Sequence, residues 1–257
     1  MKQSVLSSSV SLSDQGKAII LGSLLGDGSL KINERYQNAR FSFRHSIHQA
    51  DYFHWKVNTL QEIAGESSVW VQKNDGGYGQ SDKLRFQSRA LPVLTDLYRT
   101  THKQGRLVIR RKWLNMMTSL SLAIWWLDDG SIITNGRRGV LCTDGFGKES
   151  VKVLAQYLDK VWGVKTHVGA IGRKRGGKQE RYWRLWIRSS KELEKFFRLI
   201  LPYVPVESML RKVVMLYKDS QLQQRWISEV TKLSGFPEAA VIKAVAEKKA
   251  RWKAFRE

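Results

Sequence analysis

Two stretches of this chain close in the same way, and the chain between and after them must be built around that repetition. Residues 18–25 form an apolar run that ends on Gly26-Asp27-Gly28, and residues 121–127 form another that ends on Asp128-Asp129-Gly130. Asp27 and Asp129 are 102 positions apart. Each run has the length of a short helix stopped by turn residues. Asp14, three residues ahead of Lys17, is placed to cap the first helix. Gly in 26–28 is placed to relieve the left-handed strain of its end.

The segments downstream of the two runs repeat as well. Arg40-Phe41-Ser42-Phe43-Arg44 alternates polar and aromatic residues, the period-2 pattern of a strand with one buried face. Residues 50–63 return to helical spacing. Strands are expected at 68–73 and 83–89, joined by a Gly-rich turn at 74–79, and a helix at 91–99 closes the first half. The second half gives strands near 131–134 and 139–143, a helix over 148–161, a hairpin of 165–172 and 181–188, and a helix over 191–201. Leu84 and Leu185 hold equivalent strand positions 101 residues apart. The chain therefore reads as α+β, with two pseudo-symmetric αββαββα repeats at 14–100 and 118–212. A connector at 101–117 joins them. A Ser-rich segment, 1–13, reads as a mobile tail, and a basic helical extension at 213–257 has no counterpart in the first half.

Composition narrows the class. The 257 residues include ten Trp, nine Phe and eight Tyr, which need burial and exclude disorder for most of the chain. One cysteine, Cys142, excludes a disulfide scaffold. No apolar run approaches the ~20 residues of a membrane helix and nothing resembles a secretory signal, so a soluble intracellular protein is expected. Lys and Arg number 44 against 23 Asp and Glu, a formal charge of +21. Such an excess strains a compact fold by self-repulsion and points to a polyanionic partner. It is uneven: residues 1–105 carry +4 and residues 106–257 carry +17.

The nonapeptides Ile20-Leu21-Gly22-Ser23-Leu24-Leu25-Gly26-Asp27-Gly28 and Leu122-Ala123-Ile124-Trp125-Trp126-Leu127-Asp128-Asp129-Gly130 resemble the paired LAGLIDADG motifs of homing endonucleases. The resemblance extends from Asp14 to about Lys212, in the single-chain, two-motif form. It implies two motif helices side by side at a pseudo-two-fold axis and two antiparallel sheets forming a saddle over double-stranded DNA, in a monomer. The implied activity is Mg²⁺-dependent, site-specific cleavage of both strands across the minor groove. A free-standing, intron-encoded form is expected, since no flanking splicing domain is evident. The alternative is a non-cleaving nucleic-acid binder on the same scaffold, an RNA maturase or a transcription regulator. Retention of both Asp27 and Asp129 argues for cleavage.

The residues give the motif a physical reason. Gly22 and Gly26 lie four apart on one helix face, so a second helix backbone can approach closely. Close approach brings Asp27 and Asp129 together, and paired carboxylates beside phosphate need a divalent cation, with hard oxygen donors suiting Mg²⁺. The resemblance adds the carbonyls of Gly26 and Asp128 as further metal donors. Trp125 and Trp126 stand where the family has small residues, and the helix pair survives if their rings pack outward. The resemblance also implies basic residues that order the attacking water: Arg106 in the connector, and Arg211 or Lys212 after Pro202, with Lys103 as an alternative.

The polar strand faces are the expected DNA readers: Arg40, Ser42 and Arg44; Lys83, Arg85, Gln87 and Arg89; Tyr182, Arg184, Trp186 and Arg188. A two-stranded ribbon fits the major groove, where Arg reads guanine and Gln reads adenine. The turn bearing Arg173, Lys174, Arg175 and Lys178 is expected to grip backbone phosphate. Its Gly-x4-Gly-Lys spelling is not read as a nucleotide loop, because a strand comes next instead of a helix. His45, His48 and His54 lack cysteines or zinc-protease spacing and are not read as a zinc site. Cys142 reads as a buried or strand thiol.

Overall fold

The computed structural model describes residues 10–74, 81–133, 135–175, 178–252 and 255. The Ser-rich start up to residue 9, residues 75–80 of the first Gly-rich turn, and Gly176 and Gly177 lie outside the described residues, as do the side chains of Arg175 and Lys178. Two repeats of the expected order are present. The first runs α1 (Asp14–Ser23), β1 (Gly28–Lys31), β2 (Arg40–Ser46), α2 (Ala50–Thr59), β3 (Val69–Gln72), β4 (Lys83–Gln87) and α3 (Pro92–Thr101). The connector forms a small hairpin, β5 (His102–Lys103) with β6 (Arg106–Leu107), then α4 (Arg111–Leu114). The second runs α5 (Ser119–Asp129), β7 (Gly130–Ile133), β8 (Arg138–Leu141), α6 (Lys148–Trp162), β9 (His167–Arg175), β10 (Lys178–Ile187) and α7 (Ser190–Ile200). A 3-10 turn, Glu207–Lys212, precedes α8 (Ser220–Ser234) and α9 (Glu238–Arg251).

Each half folds a four-stranded antiparallel sheet in the same order, β1-β2-β4-β3 and β7-β8-β10-β9. The alternating aromatics of β2 explain the layering: Phe41 and Phe43 are buried, as are Leu84 and Phe86 of β4, while Arg40, Ser42, Arg85 and Gln87 face outward. In the second half Leu185 and Ile187 are buried and Arg188 is exposed. The apolar faces share one continuous core with the helices.

The two motif helices meet at its centre, and their glycines record how closely. A β-carbon on Gly22 would stand 2.3 Å from the Ser121 carbonyl oxygen, and one on Gly26 would stand 2.6 Å from Asp128 Cβ. The glycines are thus required by helix contact. The expected left-handed end is corrected: neither Gly26 nor Gly28 has a positive φ. The cap is corrected too. Ser13 caps α1, its hydroxyl accepting from Gly16 N, and Asp14 sits in the first turn. The Glu62 carboxylate locks that cap by accepting from both Ser13 N and Ser13 Oγ. α5 begins with a capping box between Thr118 and Ser121.

Trp125 and Trp126 are fully buried. Trp126 packs edge-on to Phe196 and Phe197 of α7, so its ring turns into the second half's core and leaves the helix pair intact. One strand had no separate sequence signal. β1 starts directly at Gly28, where a side chain would collide with Ser23. The extension packs α8 and α9 against the second half through buried Trp226, Ile227, Val230, Val241 and Val245. No helix among the described residues is long and apolar enough to cross a membrane.

Candidate active site and nucleic-acid interface

The ends of α1 and α5 deliver the acids. Asp27 sits in the turn after α1 with its side chain 40% exposed, and Asp129 is the last residue of α5. A cleft of about 380 Å³ opens there, lined among others by Gly26, Leu107, Asp129, Cys142, Asp144 and Arg184. Burial raises the Asp129 carboxyl, and the charges of Asp27 and Asp128 raise it further, to about 7. Asp27 moves the other way. Burial alone would raise it, but the hydrogen bond and charge of His45, with the charges of Lys56 and Lys212, leave it below the usual carboxylate range.

Asp128 does something different from its neighbour. Its side chain is fully buried and turned into the first half, where it accepts from Tyr52 Oη at 2.9 Å and Lys56 Nζ at 3.1 Å. His45 reaches both sides, with Nδ1 3.5 Å from Asp27 and Nε2 3.9 Å from Asp128. Burial, then the Asp128 charge, pushes the Tyr52 phenol well above its ordinary value, so it stays a donor. The Asp128 backbone carbonyl accepts from Lys212 Nζ at 3.1 Å, as does that of Gly130 at 3.2 Å. Lys212 thus sits at the C-terminal end of α5, where a cation complements the helix dipole. Burial lowers its ammonium pKa, partly offset by Asp128, Asp27 and Asp129. The turn bearing it is pinned twice: Trp126 Nε1 donates to the Lys212 carbonyl, and Lys248 Nζ of α9 donates to those of Arg211 and Val214.

Of the basic residues expected to serve the water, the structure brings Lys212 against the acids. Arg211 is exposed beside it, and Arg106 and Lys103 are exposed partners across the connector hairpin. The adjacent Leu107, not Arg106, lines the cleft with Asp129.

Along the sheets, Arg44 and Arg89 are exposed and Ser42 and Lys83 half-exposed. Arg40 donates to Gln87 Oε1 at 3.3 Å and stacks 3.8 Å over Tyr36, Arg85 donates to Gln72 Oε1 at 3.1 Å, and Arg89 donates to the Glu62 carbonyl at 2.8 Å. Arg184 is engaged within the protein. It is 13% exposed and holds Asp144 through Nε and Nη2 with two hydrogen bonds of 2.6 and 2.5 Å, a bidentate charged fork. Tyr182 donates to Glu180, and the Trp186 indole lies against Gly169 on β9. Arg173 is exposed with Asp144 3.7 Å away, and Lys174 is exposed.

Sequence reasoning missed His45, Tyr52, Lys56 and Asp144. Two signals were available. His45 continues the inward face of Phe41 and Phe43, and Lys56 lies four residues after Tyr52 on the buried side of α2, so each is a titratable group aimed at the core.

The match to the model of the LAGLIDADG DNA endonuclease family covers residues 17–196. The chain belongs to this family. Among curated relatives, Protein RecA of Mycolicibacterium flavescens is 30% identical over 206 residues, covering 75% of this chain and 45% of that protein. The chain spans about half or less of the length of the RecA-named relatives it matches. A probable intron-encoded endonuclease of Wickerhamomyces canadensis is 25% identical over 197 residues, 72% of this chain and 78% of that one. Among solved structures, the homing endonuclease I-WcaI bound to its DNA recognition sequence superposes with a TM-score of 0.67 at 22% identity, over 80% of this chain and 89% of that one. That likeness carries the LAGLIDADG fold.

Proposed function

We propose that this LAGLIDADG chain is a metal-dependent, site-specific endonuclease that hydrolyses both strands of a long, asymmetric DNA target across the minor groove. The observation that carries the reading is the pair of carboxylates at the touching ends of α1 and α5, crowded enough that Asp129 is held at about 7. Two acids that resist sharing one charged site fit a divalent cation, which relieves their repulsion. Asp27 and Asp129 would hold it, with the Gly26 carbonyl beside them. The Asp128 carboxylate is committed to Lys56 and Tyr52, and its carbonyl to Lys212. When bound, Mg²⁺ would supply an activated water and stabilise the leaving oxygen.

The chain's own residues do the rest. Lys56 neutralises Asp128, so two acids rather than three confront the phosphate. His45 orients Asp27. Lys212 places an ammonium at the scissile region, where it can donate to water or to a phosphate oxygen. The outward sheet faces, with Arg44, Arg85 and Gln87 among them, address the target in the groove. One molecule acts on both strands through its two halves.

The test is a plasmid carrying the uninterrupted host gene, incubated with and without Mg²⁺. Linearisation that requires Mg²⁺ and disappears in Asp27→Asn and Asp129→Asn, with specific binding kept, supports the reading. Tight binding with no linearisation in Mg²⁺ would instead make the chain a non-cleaving binder, a maturase or a regulator.

A further inference from the structure

Three guanidinium groups of the second half converge where no acid among the described residues answers them. Arg137, Arg138 and Arg188 line a pocket of about 250 Å³ with Asn135 and Ser190. The β-ladder explains the convergence. β10 pairs with β8 through Trp186–Val140 and Ile187–Gly139, so one further step sets Arg188 opposite Arg138. Both then share the face of Trp186, the outward face of the sheet. Like charges placed opposite each other across a ladder repel. All three arginines are exposed, and among the described residues none of them forms an ion pair with an acid. Ser190 opens α7, whose cap residue Ser189 makes no side-chain hydrogen bond to the helix.

The first half shows what the same positions look like when satisfied. There, continuing the β2–β4 register from Ser42–Gln87 sets Arg40 opposite Arg89. Those two are drawn apart. Arg40 stacks on Tyr36 and binds Gln87, while Arg89 binds the Glu62 carbonyl. The second half has the arginines without the internal partners, and it lies within residues 106–257, which carry +17.

We propose that Arg137, Arg138 and Arg188 form a clamp for one backbone phosphate of the DNA, and that the first half has no equivalent clamp. This rests on the proposed DNA reading. Arginine forks match the paired oxygens of a phosphate, which would also cancel the repulsion across the ladder. The clamp lies at the far end of β7 from Asp129, beside Ile133, four residues or about 13 Å of strand away. It therefore grips the target outside the cleavage centre and makes the second half the anchoring one.

The test measures affinity for the target duplex in metal-free buffer across a salt series. Wild type should bind with a steep salt dependence, which upholds the DNA reading whatever the variants do. Arg138→Gln/Arg188→Gln should lower the slope of log K against log[salt] by about 0.9, the value of one phosphate contact. Lys152→Gln/Lys195→Gln, on α6 and α7 and already paired with Glu149 and Glu192, should leave it unchanged. A duplex with a single neutral methylphosphonate, scanned along the second half-site, should weaken wild type at one position and leave the double variant indifferent there. Thermal unfolding checks that both variants fold, as exposed substitutions should. An unchanged slope in Arg138→Gln/Arg188→Gln, or a loss confined to particular base pairs, overturns the clamp. Equal release by inorganic phosphate and by DNA would also overturn it, making the pocket a free-anion site.

Discussion

Lys56 and Asp128 join the two halves through a buried salt bridge, Nζ 3.1 Å from Oδ2, with neither side chain exposed. The lysine comes from α2 of the first half and the acid from the second motif helix. Charges withdrawn from water are stable only as a pair, so removing one partner is costlier than removing both. Lys56→Met is expected to cost about 3–5 kcal/mol. Lys56→Met/Asp128→Leu should recover much of that loss. Denaturant unfolding of the three proteins decides it, and a cost under ~1 kcal/mol for Lys56→Met would mean a solvated pair.

The helix contact gives a second test. Gly22→Ala would set a methyl 2.3 Å from the Ser121 carbonyl oxygen, a backbone atom that cannot swing aside. The helices must part, at a cost of roughly 1–3 kcal/mol by comparison with other overpacked sites. Because the same contact brings Asp27 to Asp129, cleavage should fall further than stability alone explains. Gly145→Ala is the control, since nothing lies within 4 Å of its added methyl. Equal effects of the two substitutions would remove helix contact as the reason for Gly22.

Much of this architecture was legible because it is written in short periods. Alternation over 40–44 and 83–87 marks buried and wet strand faces, and a copy 102 residues on repeats the plan. The polar interior was not legible. Tyr52 and Lys56 meet Asp128 across 76 and 72 residues, and Arg184 meets Asp144 across 40, distances over which sequence spacing carries no geometry. Arg211 and Lys212 are neighbours on a 3-10 turn, where one residue decides whether a cation enters the site or solvent. β1 was hidden because its four residues begin on the glycine that ends the motif.

Asp129 makes stability depend on pH in a stated direction. Its folded value of about 7 lies above the ordinary 3.8. Between those values the folded state binds the extra proton, so the contribution is present below about pH 4 and lost as pH rises through 7. In metal-free buffer Asp129→Asn should match wild type near pH 4 and exceed it at pH 8, by at least about 1 kcal/mol. Mg²⁺ should stabilise wild type more at pH 8 than at pH 6, because binding must displace the proton. Unfolding curves at the three pH values check the sign, and a destabilised Asp129→Asn at pH 8 would contradict the crowding of the acids.

Lys212 and Arg211 can be separated by rate. The Lys212 ammonium touches the Asp128 and Gly130 carbonyls and feels all three acids, whereas the Arg211 side chain is exposed. The turn itself is held through backbone atoms, by Trp126 on the Lys212 carbonyl and Lys248 on those of Arg211 and Val214. Replacing the Lys212 side chain therefore leaves those bonds in place. Lys212→Met should fold and bind the target, yet cleave more slowly by ~10²–10⁴-fold, the usual worth of a group that handles protons in the transition state. Arg211→Ala should cleave at close to the wild-type rate. Single-turnover cleavage at saturating Mg²⁺, with affinity measured in parallel, distinguishes the two. A Lys212→Met protein that cleaves normally would reduce Lys212 to a helix cap, and a slow Arg211→Ala would move the role to its neighbour.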